Sequence, residues 1–263
     1  MSEIKVNSIK GVGATNAAIT VNNSDGTCTA NITNNLSNRN LIINGAMQVA
    51  QRGTSSTSSG FHTVDRFEVE YTGTDEAPTQ AQVDVASGTT PYTSGFRKAF
   101  KITNGNQTSG AGASDRVRFR YKVESQDLAN SGWNYVSSSS NVTLSFWIKS
   151  SVAQNFYGQF LTMDGTQRAY TFETGSLTAD TWTKITKTIS GDSNITFNND
   201  TGIGIQFDFF AFLGTASTGT MTLNQWGNYS GTARTPDYTS TWYTTNDATL
   251  EITGVQLEVG SVA

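Results

Sequence analysis

The sequence predicts an all-β protein: a two-sheet jelly-roll β-sandwich with a short, β-rich N-terminal attachment arm. Apolar and polar residues alternate over several runs, which is typical of strands with one buried face. Aromatic residues make up 11% of the 263 residues and charged residues only 14%, so Ser, Thr, Asn, Gln and Gly must supply most of the polar surface. A helical turn is indicated only at 126–130. The clearest alternating runs are 67–71, 117–123, 142–149, 182–189, 203–207 and 250–259.

Residues 1–39 differ in composition from the rest of the chain. They contain no aromatic residue and consist of short alternating pieces at 4–9, 18–21 and 28–32. The pair Asp25 and Gly26, between two of these pieces, is a strong signal for a β-hairpin. A segment this small without aromatic residues buries little apolar surface by itself. We therefore expect 1–39 to be an arm for attachment or oligomerisation, and 40–263 to be the jelly-roll domain.

Charge and hydropathy argue against two classes of partner. The formal net charge is -4 and the pI is about 5.0, so the basic surface that binds nucleic acid or an anionic membrane is not expected. The chain contains no run of eighteen apolar residues, and we expect no transmembrane helix. Cys28 is the only cysteine and therefore cannot form an intrachain disulfide.

The sequence lacks the residues of most catalytic centres. His62 is the only histidine, which leaves little material for a Ser-His-Asp triad or a histidine-rich zinc site. We expect no enzymatic activity, no cofactor and no assignable metal site. Two alternatives stay open: a carboxylate pair that cleaves glycosidic bonds, and calcium bound in loops at 164–165 or 198–200. The carboxylates considered for cleavage are Asp65, Asp115, Asp164 and Asp208.

Aromatic residues are the remaining candidates for ligand binding. Trp147 and Trp182 fall within alternating strands, and we expect both in the core. Six other rings fall in or beside polar loops, where a ring face can stack on the C–H face of a sugar while amides bind its hydroxyls. The alternative is that these rings close the ends of the sandwich or lie at an intersubunit contact. The candidate glycan-binding residues are Trp133, Tyr135, Trp226, Tyr229, Trp242 and Tyr243.

Several longer motifs occur in a fixed order along 40–263. The first is NLIINGAMQVAQRGT at 40–54, followed by FHTVDRF at 61–67. VTLSFWIKSS occupies 142–151, and ITGVQLEVGSVA occupies 252–263. In order and spacing these motifs resemble the jelly-roll domains of bacteriophage tail fibres and receptor-binding proteins, with Phe67 where that family usually has tryptophan. The opening residues at 2–7 resemble the start of marine phage virion structural proteins.

The resemblance implies a function as well as a fold. It implies a domain similar to carbohydrate-binding modules, in a virion structural protein exposed on the particle as a tail fibre, knob or capsid decoration. The expected partners are other virion proteins, bound through the arm, sibling subunits in a homotrimer, and host-surface polysaccharide. The expected location is the virion, assembled in the host cytoplasm. The alternative function is a stand-alone carbohydrate-binding module or a polysaccharide-degrading protein.

Overall fold

This computed structural model describes residues 6–13, 15, 17–22, 24, 26, 28–30 and 40–261, with the backbone alone at 28–30. The chain divides into two compact units, Met1–Arg39 and Asn40–Ala263. In the first unit, β1 (Ser8–Ile9), β2 (Ile19–Val21) and β3 (Cys28–Ala30) form a small antiparallel sheet. Asp25 of the predicted hairpin lies outside the described residues. The attachment role of this unit stays a prediction.

The second unit is built almost entirely from strands. Its short helices are α1 (Thr90–Thr93), α2 (Ser125–Ala129) and α3 (Thr241–Thr244). Its strands are β4 (Ser55–Ser56), β5 (Phe67–Thr72), β6 (Thr79–Asp84), β7 (Lys98–Thr103), β8 (Arg116–Glu124), β9 (Asn141–Ser150), β10 (Asn155–Thr162), β11 (Arg168–Ser176), β12 (Thr183–Ser190), β13 (Ile203–Leu213), β14 (Trp226–Asn228) and β15 (Thr249–Val259).

These strands form two antiparallel six-stranded sheets. The front sheet has the order β14-β11-β10-β13-β8-β5, and the back sheet has the order β12-β9-β15-β7-β6-β4. The predicted all-β sandwich is therefore confirmed. In the part of the chain that the structure describes, no helix has the length and apolar character needed to span a bilayer.

The core lies between the sheets and follows the alternation in the sequence. Along β8, Val117, Phe119, Tyr121 and Val123 belong to the core cluster and are at most 3% exposed. Arg118, between the first two, points to the opposite side of the front sheet, as period-two geometry requires. Each of the six alternating runs coincides with a strand, and the predicted helical turn is α2.

The motif at 40–54 is hydrogen-bonded to β15, the last strand in the chain, which lies inside the back sheet. Leu41 N donates to Leu257 O at 2.8 Å, and Val255 N donates to Gly45 O at 3.0 Å. A side chain at Gly45 would collide with the carbonyl oxygen of Val255. Glycine is needed here because the two backbones approach so closely.

Alkaline pH is expected to destabilise the fold through its buried tyrosines. Burial raises the pKa of Tyr170 above its ordinary value of 10.0, so the unfolded chain loses this proton first and stability falls as pH rises above about 10. Tyr170→Phe removes that proton from both states and should move the alkaline unfolding midpoint to higher pH. Circular dichroism between pH 8 and 12 measures the midpoint. If the unfolding midpoint and the stability at pH 7 are both unchanged, the Tyr170 proton does not contribute to alkaline unfolding.

Candidate functional site

Three of the six predicted glycan-binding rings lie in the core. Trp133 is 3% exposed, and Trp242 and Tyr243 are fully buried. Both indole N–H groups are used internally: Trp133 Nε1 donates to Ser140 O at 3.2 Å, and Trp242 Nε1 donates to Thr249 O at 3.1 Å. The prediction that these three rings stack on sugars is wrong, because none of them has a free face.

The other three predicted residues are not gathered into one site. Tyr135 packs on Phe197, with ring centroids 4.6 Å apart. Trp226 packs on Tyr170 at 5.5 Å. Both rings lie against the core cluster, as the alternative of closing the sandwich predicts. Tyr229 is half-buried and stays a candidate without a partner ring.

Trp147 and Trp182, which we expected in the core, lie on the outer face of the back sheet. In β9 the buried residues Leu144, Phe146 and Ile148 face inward. Trp147, between the last two, must therefore point outward. It pairs with Lys184 of β12, and Trp182 precedes Lys184 by two residues, so it projects from the same face. Both indoles are half-buried, and neither packs against the core cluster.

The polar neighbours of the two indoles come from three adjacent strands. Lys149 of β9 forms an ion pair with Glu251 of β15 at 3.1 Å, and its Nζ lies 5.2 Å from the ring centroid of Trp182. Diagonal neighbours across an antiparallel pair are about 7–8 Å apart, which is the relation between the two tryptophans. We call this surface the tryptophan platform. It consists of Trp147, Lys149, Trp182, Lys184 and Glu251.

The outer face of the front sheet is organised around a buried carboxylate. Asp208 of β13 is fully buried. Its Oδ2 accepts from Arg118 Nη1 at 2.8 Å and from Arg234 Nη2 at 2.7 Å, and its Oδ1 accepts from Arg120 Nε at 2.9 Å. Burial opposes ionisation of Arg120, but Asp208 and its neighbouring glutamates outweigh that effect and raise the pKa of the guanidinium. We call Asp208, Arg118, Arg120 and Arg234 the Asp208 cluster.

The segment carrying Arg234 covers the centre of this front-sheet face. Its backbone carbonyl accepts from Gln159 Nε2 at 2.8 Å and from Thr171 Oγ1 at 3.0 Å. Gln159 and Thr171 lie on neighbouring strands and are at most 1% exposed. The chain itself therefore satisfies the polar groups of Gln159 and Thr171, which lie beneath the Arg234 segment.

The carboxylates considered for catalysis have separate internal partners. Asp115 accepts from Tyr243 at 3.1 Å, and Asp164 accepts from Ser125 at 2.6 Å. Burial and the Asp115 charge raise the pKa of Tyr243. Asp65 accepts from the backbone N–H of Gln51, and Asp208 accepts from the three arginines of the Asp208 cluster. The absence of enzymatic activity stays a prediction.

The two loops considered for calcium meet through a hydrogen bond. Asn198 Nδ2 donates to Asp164 Oδ1 at 2.9 Å. Within the described residues, no group of three or more His, Cys, Asp or Glu side chains could hold a metal ion. Asp164 thus has a structural role in joining the loops.

Comparison with known proteins gives similarity at the level of structure. No family model and no curated protein matches the sequence. A putative sugar binding protein from Bacteroides thetaiotaomicron is 12% identical, with a TM-score of 0.43 over 84% of this chain and 100% of that chain. The N-terminal cellulose-binding domain of Cellulomonas fimi β-1,4-glucanase C is 11% identical, with a TM-score of 0.39 over 82% and 100%.

A third similar structure holds a ligand. It is the family 11 carbohydrate-binding module from Clostridium thermocellum in complex with a β-1,3-1,4-mixed-linked tetrasaccharide, 12% identical, with a TM-score of 0.34 over 80% of this chain and 97% of that chain. With TM-scores below 0.5, these similarities do not indicate which residues of this chain bind a ligand.

Proposed function

We propose that this protein is a saccharide-binding protein and that the tryptophan platform is its binding surface. The observation that carries the proposal is the placement of Trp147 and Trp182, both half-buried, side by side on the outer face of the back sheet, away from the core cluster. An indole that faces solvent from a flat sheet has an apolar face available for the C–H face of a sugar ring. Two such rings on adjacent strands can hold successive units of a chain.

The polar groups beside the rings suit sugar hydroxyls. Lys149 and Lys184 are donors and Glu251 is an acceptor, so both kinds of hydroxyl hydrogen bond can form at the edges of the platform. The front sheet offers less, because Arg234 covers its centre. The back sheet is therefore the better binding face of the sandwich.

The proposal predicts that removal of either platform indole weakens saccharide binding about tenfold. Covering roughly 60 Å² of apolar ring surface contributes about 1.5 kcal/mol, which is a factor of about ten in affinity. Affinity electrophoresis of the full chain against mixed-linkage β-glucan, xylan, capsular polysaccharide and lipopolysaccharide first identifies a ligand. Binding of that ligand is then measured for Trp147→Ala and Trp182→Ala.

Trp226→Ala is the matched control, since it removes a half-buried indole whose N–H is bonded to Ser190 O at 2.8 Å. We expect this variant to bind as the wild type does. Equal binding by the wild type and the two platform variants would contradict the proposal. So would a wild-type protein that binds no saccharide in the panel.

The tryptophan platform supports the alternative that the sequence predicts, a carbohydrate-binding module, over its main prediction. A role on the bacteriophage virion, attachment through the arm, trimer formation and virion localisation stay predictions from motif resemblance. The four carboxylates considered for polysaccharide cleavage, Asp65, Asp115, Asp164 and Asp208, each have internal partners and give that activity no support.

A further inference from the structure

A surface pocket lies where the motifs at 40–54 and 61–67 meet, beside the start of β5. Its volume is about 470 Å³. Three apolar side chains contribute to its lining: Ile43 and Val49 are 52% and 43% exposed, and Phe61 is half-buried. Exposed apolar side chains grouped in one concave site offer a surface suited to the apolar part of a small ligand.

The guanidinium groups of Arg52 and Arg66 line the same pocket. Asp65 Oδ1 accepts from Gln51 N at 3.1 Å and lies 3.7 Å from Arg52 Nη1. Arg66 has no carboxylate partner among the described residues. Two guanidiniums against one carboxylate leave a net positive charge in this pocket, although the whole chain carries -4. We call this site the arginine pocket.

The arginine pocket is held in shape by Asn44. Its Nδ2 donates to Val49 O at 2.9 Å and to Asp65 O at 3.0 Å, and its Oδ1 accepts from Val49 N at 3.0 Å. The two motif segments are therefore tied together before any ligand arrives, which lowers the entropic cost of binding.

Arg66 is kept in an unfavourable backbone conformation. Its φ is +72°, in the left-handed region that residues other than Gly, Asn and Asp rarely adopt. Strain of this kind is concentrated at ligand-binding positions. The strained φ makes Arg66 a candidate ligand contact.

We propose that the arginine pocket binds an organic carboxylate carried on a compact ring. A planar guanidinium fork binds a carboxylate through two parallel hydrogen bonds, and Ile43, Val49 and Phe61 form the apolar wall against which the ring lies. An acidic sugar and a non-sugar cyclic carboxylate share this chemistry. The site is separate from the tryptophan platform and does not depend on it.

Isothermal titration of the full chain tests the proposal with five probes. Glucuronate, N-acetylneuraminate and cyclohexanecarboxylate represent the two sources of carboxylate, and glucose and cyclohexylmethanol are neutral controls. Binding by either source, without binding of its neutral control, supports the proposal and identifies the source. Equal binding of the neutral controls by Trp147→Ala, which impairs the tryptophan platform, or no saturable binding of any carboxylate, overturns it.

Arg66→Gly separates binding from folding. We expect its melting temperature to equal or exceed that of the wild type, because glycine relieves the strained φ, while carboxylate affinity falls at least about tenfold. Arg97→Met removes an exposed guanidinium that lies 3.9 Å from the Tyr92 ring centroid and should leave affinity unchanged. Trp147→Ala should also retain carboxylate binding. Unaltered affinity in Arg66→Gly would refute the site.

Discussion

Replacing Asp208 with asparagine is expected to lower the free energy of unfolding by about 3–5 kcal/mol. The side chain is fully buried and accepts charged hydrogen bonds from Arg118, Arg120 and Arg234. Asparagine has nearly the same shape but no charge, so three guanidiniums would lose a carboxylate they share. Arg118 and Arg120 would keep their pairs with Glu70 and Glu68, while Arg234 would lose the carboxylate to which it is paired. Removal of one partner from a buried ion cluster costs this much because the remaining charges stay desolvated. Urea denaturation at pH 7 measures the change.

A surface ion pair supplies the control for this prediction. Asp84 accepts from Lys98 at 2.6 Å, but its side chain is 82% exposed, and Asp84→Asn should cost less than about 1 kcal/mol. Arg234→Met removes one guanidinium, so the double variant with Asp208→Asn should lose less than the sum of the single losses. If Asp208→Asn costs no more than Asp84→Asn, the Asp208 cluster does not hold the front sheet together.

The strands of the second unit differ in how fully the sequence pattern predicts them. β8 and β9 each have one apolar face, and their patterns predict strands within a residue or two of the observed bounds. The pattern at 203–207 predicts only the first half of β13, which continues to Leu213. Residues 209–213 are apolar without interruption and buried on both faces, and on the outer face the Arg234 guanidinium lies over the Phe210 ring. A strand buried on both sides loses its period-two signal.

The positions of the tryptophans differ from the sequence prediction for a related reason. Trp242 follows a polar loop, and composition placed it at the surface, but α3 turns it inward through contacts that are distant in sequence. Trp147 is predicted in the core because it falls within an alternating strand. The alternation of Leu144, Phe146 and Ile148 already indicates that Trp147 faces the other way. The orientation of a strand residue was predictable from local pattern, whereas that of a loop residue depended on tertiary packing.

Trp242→Ala is therefore expected to reduce mainly stability, and Trp147→Ala mainly saccharide affinity. Trp242 is fully buried and its Nε1 is bonded to Thr249 O, so truncation leaves a large cavity and an unpaired carbonyl, and should cost about 3–5 kcal/mol of unfolding free energy. Trp147 lies outside the core cluster, and its truncation should cost about 1 kcal/mol or less. Urea denaturation of both variants measures the difference.

Saccharide affinity should change in the reverse order. At a temperature where Trp242→Ala remains folded, it keeps the tryptophan platform and should bind as the wild type does, while Trp147→Ala loses about tenfold. The pairing of Trp147 with Lys184 keeps this indole on the outer face, because a one-residue shift of β9 would turn Phe146 and Ile148 out of the core. The same alternation that builds the sandwich thus determines which tryptophan a ligand can reach.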